Sequence, residues 1–208
     1  MSEIRTLHLP VDEATVRSLK VGEMVELSGD LLLIGGMPTH ERLLEFLASG
    51  EVLPIEMRNA AVLHFGGYNI EEDGQVKLLY LNPTTSSRFN PYMPTLIRGF
   101  GLRIVGGKGG LDAASAAAMQ ETGCVYLSFP GGGCTLFTNA IREVVSVAWK
   151  DLIVHYRLVK LRVEGLGPGT VAIDAHGHSL YDGLQTAAAD RLPEIMRGLN
   201  AARAVADH

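Results

Sequence analysis

The chain has 208 residues and a net charge of −5, so it carries no basic footprint and nucleic-acid binding is a poor expectation. It is 47% hydrophobic and 20% charged, a balance that buries a core and argues against disorder. No apolar run approaches the roughly 20 residues that cross a bilayer, and the opening Met1-Ser2-Glu3-Ile4-Arg5 lacks a signal-peptide pattern. The two cysteines, Cys124 and Cys134, argue against a disulfide scaffold and suit a reducing cytoplasm. They also cannot complete a four-cysteine zinc site or an iron–sulfur ligand set, so any such cluster would have to be carried by another chain.

In chain order, Asp12 caps a short helix through Lys20, with Asp12 and Glu13 at the positive end of its dipole. Glu23–Leu27 and Leu31–Ile34 are predicted strands around a Ser28-Gly29-Asp30 turn. Thr39–Ala48 is a predicted helix that buries Leu43, Leu44 and Leu47 and stops at Gly50. Ala60–Phe65 and Val76–Leu81 are strands around the polar loop Glu71-Glu72-Asp73-Gly74. A helix near Tyr92–Gly99, a strand Leu102–Val105, an alanine-rich helix over Asp112–Glu121 and a strand Cys124–Ser128 follow. Gly131-Gly132-Gly133 opens another helix. Val144–Trp149, Leu158–Val163 and Thr170–Ile173 alternate as strands. The tail from Gln185 to Ala206 has helical spacing broken by Pro193, and offers a surface for the core or for a second copy. Repeated strand–loop–helix order predicts an α/β fold with partly parallel pairing and ligands at strand ends.

Two loops stand out chemically. Asn82-Pro83-Thr84-Thr85-Ser86-Ser87-Arg88 clusters hydroxyls with a guanidinium, and Gly106-Gly107-Lys108-Gly109-Gly110 sets a lysine among glycines. A carboxylate or phosphate accepts several hydrogen bonds in a plane, which such groups supply. The plain alternatives are a helix N-cap run and a surface turn. The Walker order is absent, because Gly109 follows Lys108. Gly131–Gly133 suits either an anion nest or close helix packing. Cys134 sits where a helix dipole could activate it, and a buried thiol is the competing reading. Asp174, His176 and His178 have a metal-like spacing that also suits a solvated turn, so no metal is expected on this chain. His40 reads as a helix-surface residue or a substrate contact.

Asn82-Pro83-Thr84-Thr85-Ser86-Ser87-Arg88-Phe89-Asn90-Pro91-Tyr92 resembles the Gly-Pro-Thr-Thr-Ser-x-Arg-Met-Asp-x-Tyr signature of the class I (iron–sulfur) fumarase C-terminal domain. The same domain forms the beta subunit of L-tartrate dehydratase. Gly107-Lys108-Gly109 matches its Gly-Lys-Gly, Cys124-Val125-Tyr126 through Gly131-Gly132 resembles its Ala-Val-Tyr…Gly-Gly stretch, and the likeness covers about residues 7–182. The resemblance implies a swivelling β/β/α domain with a mixed sheet over residues 1–183, followed by a helical extension over 184–208. It also implies a partner alpha subunit that holds a 4Fe–4S cluster on three cysteines, with none bound by this chain alone. The small-carboxylate substrate would be gripped by Thr84, Thr85, Ser86, Arg88, Lys108 and His40, with Thr84 and Lys108 catalytic. One segment departs from the pattern. Where the family has Ala-Arg-Asp-x-Ala-His, this chain has Gly35-Gly36-Met37-Pro38-Thr39-His40, so Gly36 and Met37 replace an arginine and an aspartate. Asn90 and Asn82 replace an aspartate and a glycine.

The expected function is therefore the beta-type subunit of a fumarate hydratase- or tartrate dehydratase-like hydro-lyase. It would act with its partner in reversible dehydration of a small 2-hydroxy (di)carboxylate. The alternative is a non-catalytic anion-binding or regulatory domain that retained the fold. A homodimer is possible, and neither nucleic acid nor membrane is expected as a partner.

Overall fold

In a computed structural model the chain is described over residues 4–73 and 75–206. Gly74 of the predicted polar loop and Met1–Glu3 lie outside the described residues. Nine strands are seen among the described residues: β1 (Arg5–His8), β2 (Met24–Leu33), β3 (Ala61–Leu63), β4 (Phe65–Glu72), β5 (Gln75–Pro83), β6 (Ile104–Gly107), β7 (Val125–Ser128), β8 (Ile141–Ala148) and β9 (Leu158–Ile173). The helices are α1 (Glu13–Ser18), α2 (Met37–Ser49), α3 (Met93–Phe100), α4 (Ala113–Thr122), α5 (Cys134–Asn139) and α6 (Asp182–Ala206).

Seven strands form one mixed sheet in the order β1-β2-β3-β6-β7-β9-β8, and β2 also pairs with β9. The sheet thus closes on itself through β2, β3, β6, β7 and β9. Pairings from β1 to β7 are parallel, while β9 runs antiparallel to β2, β7 and β8. β4 and β5 make a separate hairpin. The expected α/β fold with a mixed sheet is what the chain adopts.

Closure gives the strands two buried faces, so Leu31-Leu32-Leu33-Ile34 is apolar without a break. Leu31 and Leu33 join Val25, Leu27, Leu63, Ile104 and Leu127 in one cluster, which α1 and α5 extend through Val16 and Phe137. Leu32 and Ile34 face the other way with Val62, Val105 and Tyr126, under Leu43 of α2, Leu96 of α3 and Met119 of α4. Burying one such side chain contributes about 1.5–3 kcal/mol, so this alternation fixes the strand register.

Three boundaries differ from the sequence reading. The predicted turn at Ser28-Gly29-Asp30 is the middle of the continuous strand β2. Gly29 takes φ +123° where a Cβ would meet the Leu9 carbonyl at 2.6 Å, and pairing to β9 shifts register there. A bulge bends a strand without ending it. β9 likewise runs unbroken through Glu164–Gly169, with Gly165 at φ +65°. Pro193 does not break α6, which is one helix of 25 residues. Its described side chains from Asp182 to Arg203 are all exposed, so water can take the carbonyl that the proline leaves unpaired. The tail therefore packs on neither core cluster.

Candidate functional site

The two loops meet at the C-terminal ends of β5 and β6. The Lys108 amide donates to the Thr84 carbonyl at 3.0 Å, and the Ser86 amide donates to the Lys108 carbonyl at 2.8 Å, a parallel bridge between otherwise separate strands. His64, just past β3, ties in a third segment. Its amide donates to Gly106 O at 2.7 Å, while its carbonyl accepts from both the Thr84 amide (2.8 Å) and the Thr84 hydroxyl (2.9 Å). Gly107 is glycine for a packing reason, because a Cβ there would lie 2.2 Å from Ser86 Oγ. Gly109 and Gly110 both take φ +79°, which turns the chain sharply behind Lys108.

The polar groups then divide into an outer and an inner set. Thr84, Thr85 and Lys108 are half-buried and Arg88 is exposed. Arg88 sits in the 3-10 turn Ser86–Phe89, with its guanidinium 5.7 Å from the Phe89 ring. Among the described residues, no carboxylate pairs with Arg88 or Lys108. Gly131 passes alongside, its Cβ position 3.8 Å from Lys108 Cδ, so the third glycine loop borders the lysine. A cleft of about 260 Å³ opens between Ser87, Asn90, Gly109, Gly110 and Tyr181.

Ser86 and His40 belong to the inner set, both 0% exposed, so neither faces a ligand in this chain. Ser86 Oγ accepts from the Tyr126 hydroxyl at 2.9 Å and lies 2.9 Å from His64 Nδ1. His40 donates through Nδ1 to Gly36 O at 2.7 Å and stacks on Phe89 with ring centroids 4.0 Å apart. Its Nε2 is buried without a partner. Burial pushes the His40 pKa down to about 4. Burial and the neighbouring His40 hold His64 well below its ordinary value.

The substituted segment has a packing explanation. A Cβ at Gly36 would fall 2.1 Å from Cδ1 of Tyr156, so the tyrosine ring occupies the space that a side chain at position 36 would need. Arg42 does not stand in for the missing arginine. It makes a two-pronged pair with Asp151 at 3.0 and 2.7 Å and lies 5.4 Å from the Trp149 ring.

The remaining candidates resolve into structure. Asp174 Oδ1 accepts from the amides of His176 and His178, and Oδ2 lies 2.9 Å from His178 Nδ1. Burial alone would raise the Asp174 pKa, but these bonds outweigh it and hold the carboxylate below its usual value. The three residues thus form a hydrogen-bonded turn. Cys124 is fully buried, its thiol pushed up by burial, and Cys134 is half-buried beside Thr138. Sequence reasoning missed His64, Tyr126 and Tyr156. A histidine closing the apolar run Ala60-Ala61-Val62-Leu63 was a readable signal for a buried polar anchor, whereas nothing local marks Tyr156.

The model of the "Fumarase C-terminus" family matches residues 2–184. A provisionally named L(+)-tartrate dehydratase subunit beta of Methanocaldococcus jannaschii is 30% identical, covering 87% of this chain and 93% of its own length. The L(+)-tartrate dehydratase subunit beta of Escherichia coli strain K12 is 27% identical, covering 85% of this chain and 86% of its own. A provisionally named class I fumarate hydratase of Geobacillus stearothermophilus is 30% identical over 91% of this chain, which spans only 36% of that longer protein. With the match running across both loops and the closed mixed sheet beneath them, the chain belongs to the fumarase C-terminus family.

Proposed function

We propose that this chain is the beta-type subunit of an iron–sulfur hydro-lyase, of the fumarate hydratase or tartrate dehydratase kind. In this reading it grips a small 2-hydroxy (di)carboxylate with its two joined loops. One observation carries the reading: Arg88 and Lys108, without carboxylate partners among the described residues, stand on loops bonded directly to each other. Relatives named for both activities support it.

The chain's own residues do not fit a cluster. It has two cysteines, one of them sealed in the core, and the cluster is therefore assigned to a partner alpha subunit with three cysteines. Held there, the cluster would supply a Lewis acid for the departing hydroxide. This chain's residues do the rest. Arg88 and Lys108 bind the carboxylate and offset charge that develops beside it when the C–H proton leaves. Thr85 adds a hydroxyl to the grip. Thr84 donates its hydroxyl proton to His64 O, which leaves its oxygen as an acceptor toward the ligand. To take a proton from carbon it must first lose its own proton to solvent, and the cations Arg88 and Lys108 favour the alkoxide that this leaves. Ser86 and His40, buried behind this surface, support it from within. Residues 1–183 form the catalytic-subunit domain and 184–208 an extension, in a cytoplasmic setting. No helix among the described residues is long and apolar enough to cross a membrane.

A second reading, a non-catalytic anion-binding domain, is favoured by Tyr156 filling the space at Gly36 while Arg42 is committed to Asp151. Co-expression with the cluster-bearing partner separates the two. The first reading expects a brown complex that hydrates or dehydrates a hydroxy acid. Lys108→Ala should then lower kcat/KM by about 2–5 kcal/mol, roughly 30- to several-thousand-fold. An intact brown complex that turns over none of a panel of 2-hydroxy acids would leave the second.

A further inference from the structure

Beneath the two loops lies a chain of buried polar groups that the proposed reaction does not use. Tyr126, Ser86 and His64 are each 0% exposed. The Tyr126 hydroxyl donates to Ser86 Oγ at 2.9 Å, Ser86 Oγ lies 2.9 Å from His64 Nδ1, and His64 Nε2 lies 3.3 Å from Met93 Sδ. Only one assignment of hydrogens satisfies every group. A hydroxyl has one proton, and that of Ser86 has no acceptor other than His64 Nδ1. His64 is therefore the neutral tautomer with its proton on Nε2, directed at the methionine sulfur. The opposite tautomer would face two protons at one contact and strand a buried hydroxyl, which is costly where no water reaches.

The main chains of the same residues hold the outer set. His64 O carries both the amide and the hydroxyl of Thr84, and the Ser86 amide carries the Lys108 carbonyl. The Tyr181 ring packs against both Gly110 and Tyr126. Ser86 thus ties the two loops that present Thr84, Arg88 and Lys108 to His64 and Tyr126 beneath them. We propose that the Tyr126–Ser86–His64 relay is a one-directional clamp, with Ser86 as its central positioning residue, that fixes Thr84 and Lys108 relative to each other. The inference rests on reading the two loops as one anion site, but its structural content can be tested without turnover.

Nitrogen-15 NMR of the full chain at neutral pH should show His64 neutral with Nδ1 unprotonated. In Tyr126→Phe and Ser86→Ala chains, hydrogen exchange at the amides of Thr84, Ser86 and Lys108 should quicken on the order of tenfold, the loss of about one buried hydrogen bond. Exchange in β1 should stay as it was. In the partner complex both variants should lower kcat/KM by a similar factor. Tyr126→Phe removes a single oxygen and keeps the ring, so it decides the matter if Ser86→Ala does not fold. A charged His64, a proton on Nδ1, unchanged exchange at the loops, or an equal rise throughout the chain would each overturn the clamp. Absence of turnover with the unaltered chain would count against the functional reading alone, since the exchange and tautomer results stand without it.

Discussion

Two buried residues near the site carry measurable consequences. His40 is neutral in the folded chain because burial lowers its pKa from 6.5 to about 4. The unfolded chain therefore binds a proton more readily between those values. The stability that neutral His40 contributes is complete above about pH 6.5 and is lost as pH falls toward 4, a loss of about 3 kcal/mol. His64 acts in the same direction. Urea unfolding should show stability dropping across that window, and His40→Phe, which keeps a stacked ring but takes no proton, should flatten the slope in part. A flat profile in the unaltered chain would mean that His40 is not buried neutral. Gly36 makes a second case. Its Cβ position lies 2.1 Å from Cδ1 of Tyr156, so Gly36→Ala should destabilise by about 1–3 kcal/mol through overpacking. Gly36→Ala combined with Tyr156→Ala should cost less than the sum of the single changes, because both act at one contact. Strict additivity in denaturation would separate the two residues.

At the level of elements, the sequence was most legible where local chemistry and period agree. Asp12 caps α1 by accepting from the Thr15 amide at 2.7 Å, as the sequence reading expects. Asp112, read there as the first helical residue, caps α4 by accepting from the Ser115 amide at 2.9 Å. Gly50 ends α2 in the left-handed conformation. The hydroxyl-rich loop and the glycine–lysine loop both stood out in composition. Their direct bonding did not, since the Thr84–Lys108 contact joins the end of a hairpin strand to the end of a strand of the main sheet. Strand continuity was misread for a related reason. Gly29 and Gly165 carry turn chemistry in a short window, yet pairing along β2 and β9 on both sides keeps the chain extended. The inward direction of Ser86 was equally hidden, because its partners Tyr126 and His64 come from segments distant in the sequence.

On the scale of the whole molecule, the closed sheet with α2, α3 and α4 on one side is a unit that ends near the family match at residue 184. Helix α6 stands outside it. Leu184, Leu192, Ile195 and Leu199 are 48–64% exposed, so the helix adds little burial to the fold. Ending the chain after Leu184 should therefore change unfolding free energy by less than about 0.5 kcal/mol, the range of surface changes without buried partners. A larger loss in thermal or urea unfolding would show that α6 supports the core. The body carries Arg88 and Lys108 on two directly bonded loops, and the central claim is that they serve a single bound anion. A double-mutant cycle of Arg88→Ala and Lys108→Ala, read as kcat/KM in the complex with the cluster-bearing partner, tests that claim most directly. Two cations on one ligand should be coupled by about 0.5–3 kcal/mol, so the double variant should lose less than the product of the single losses. Losses that multiply without coupling would place the two residues on separate ligands and contradict a shared site.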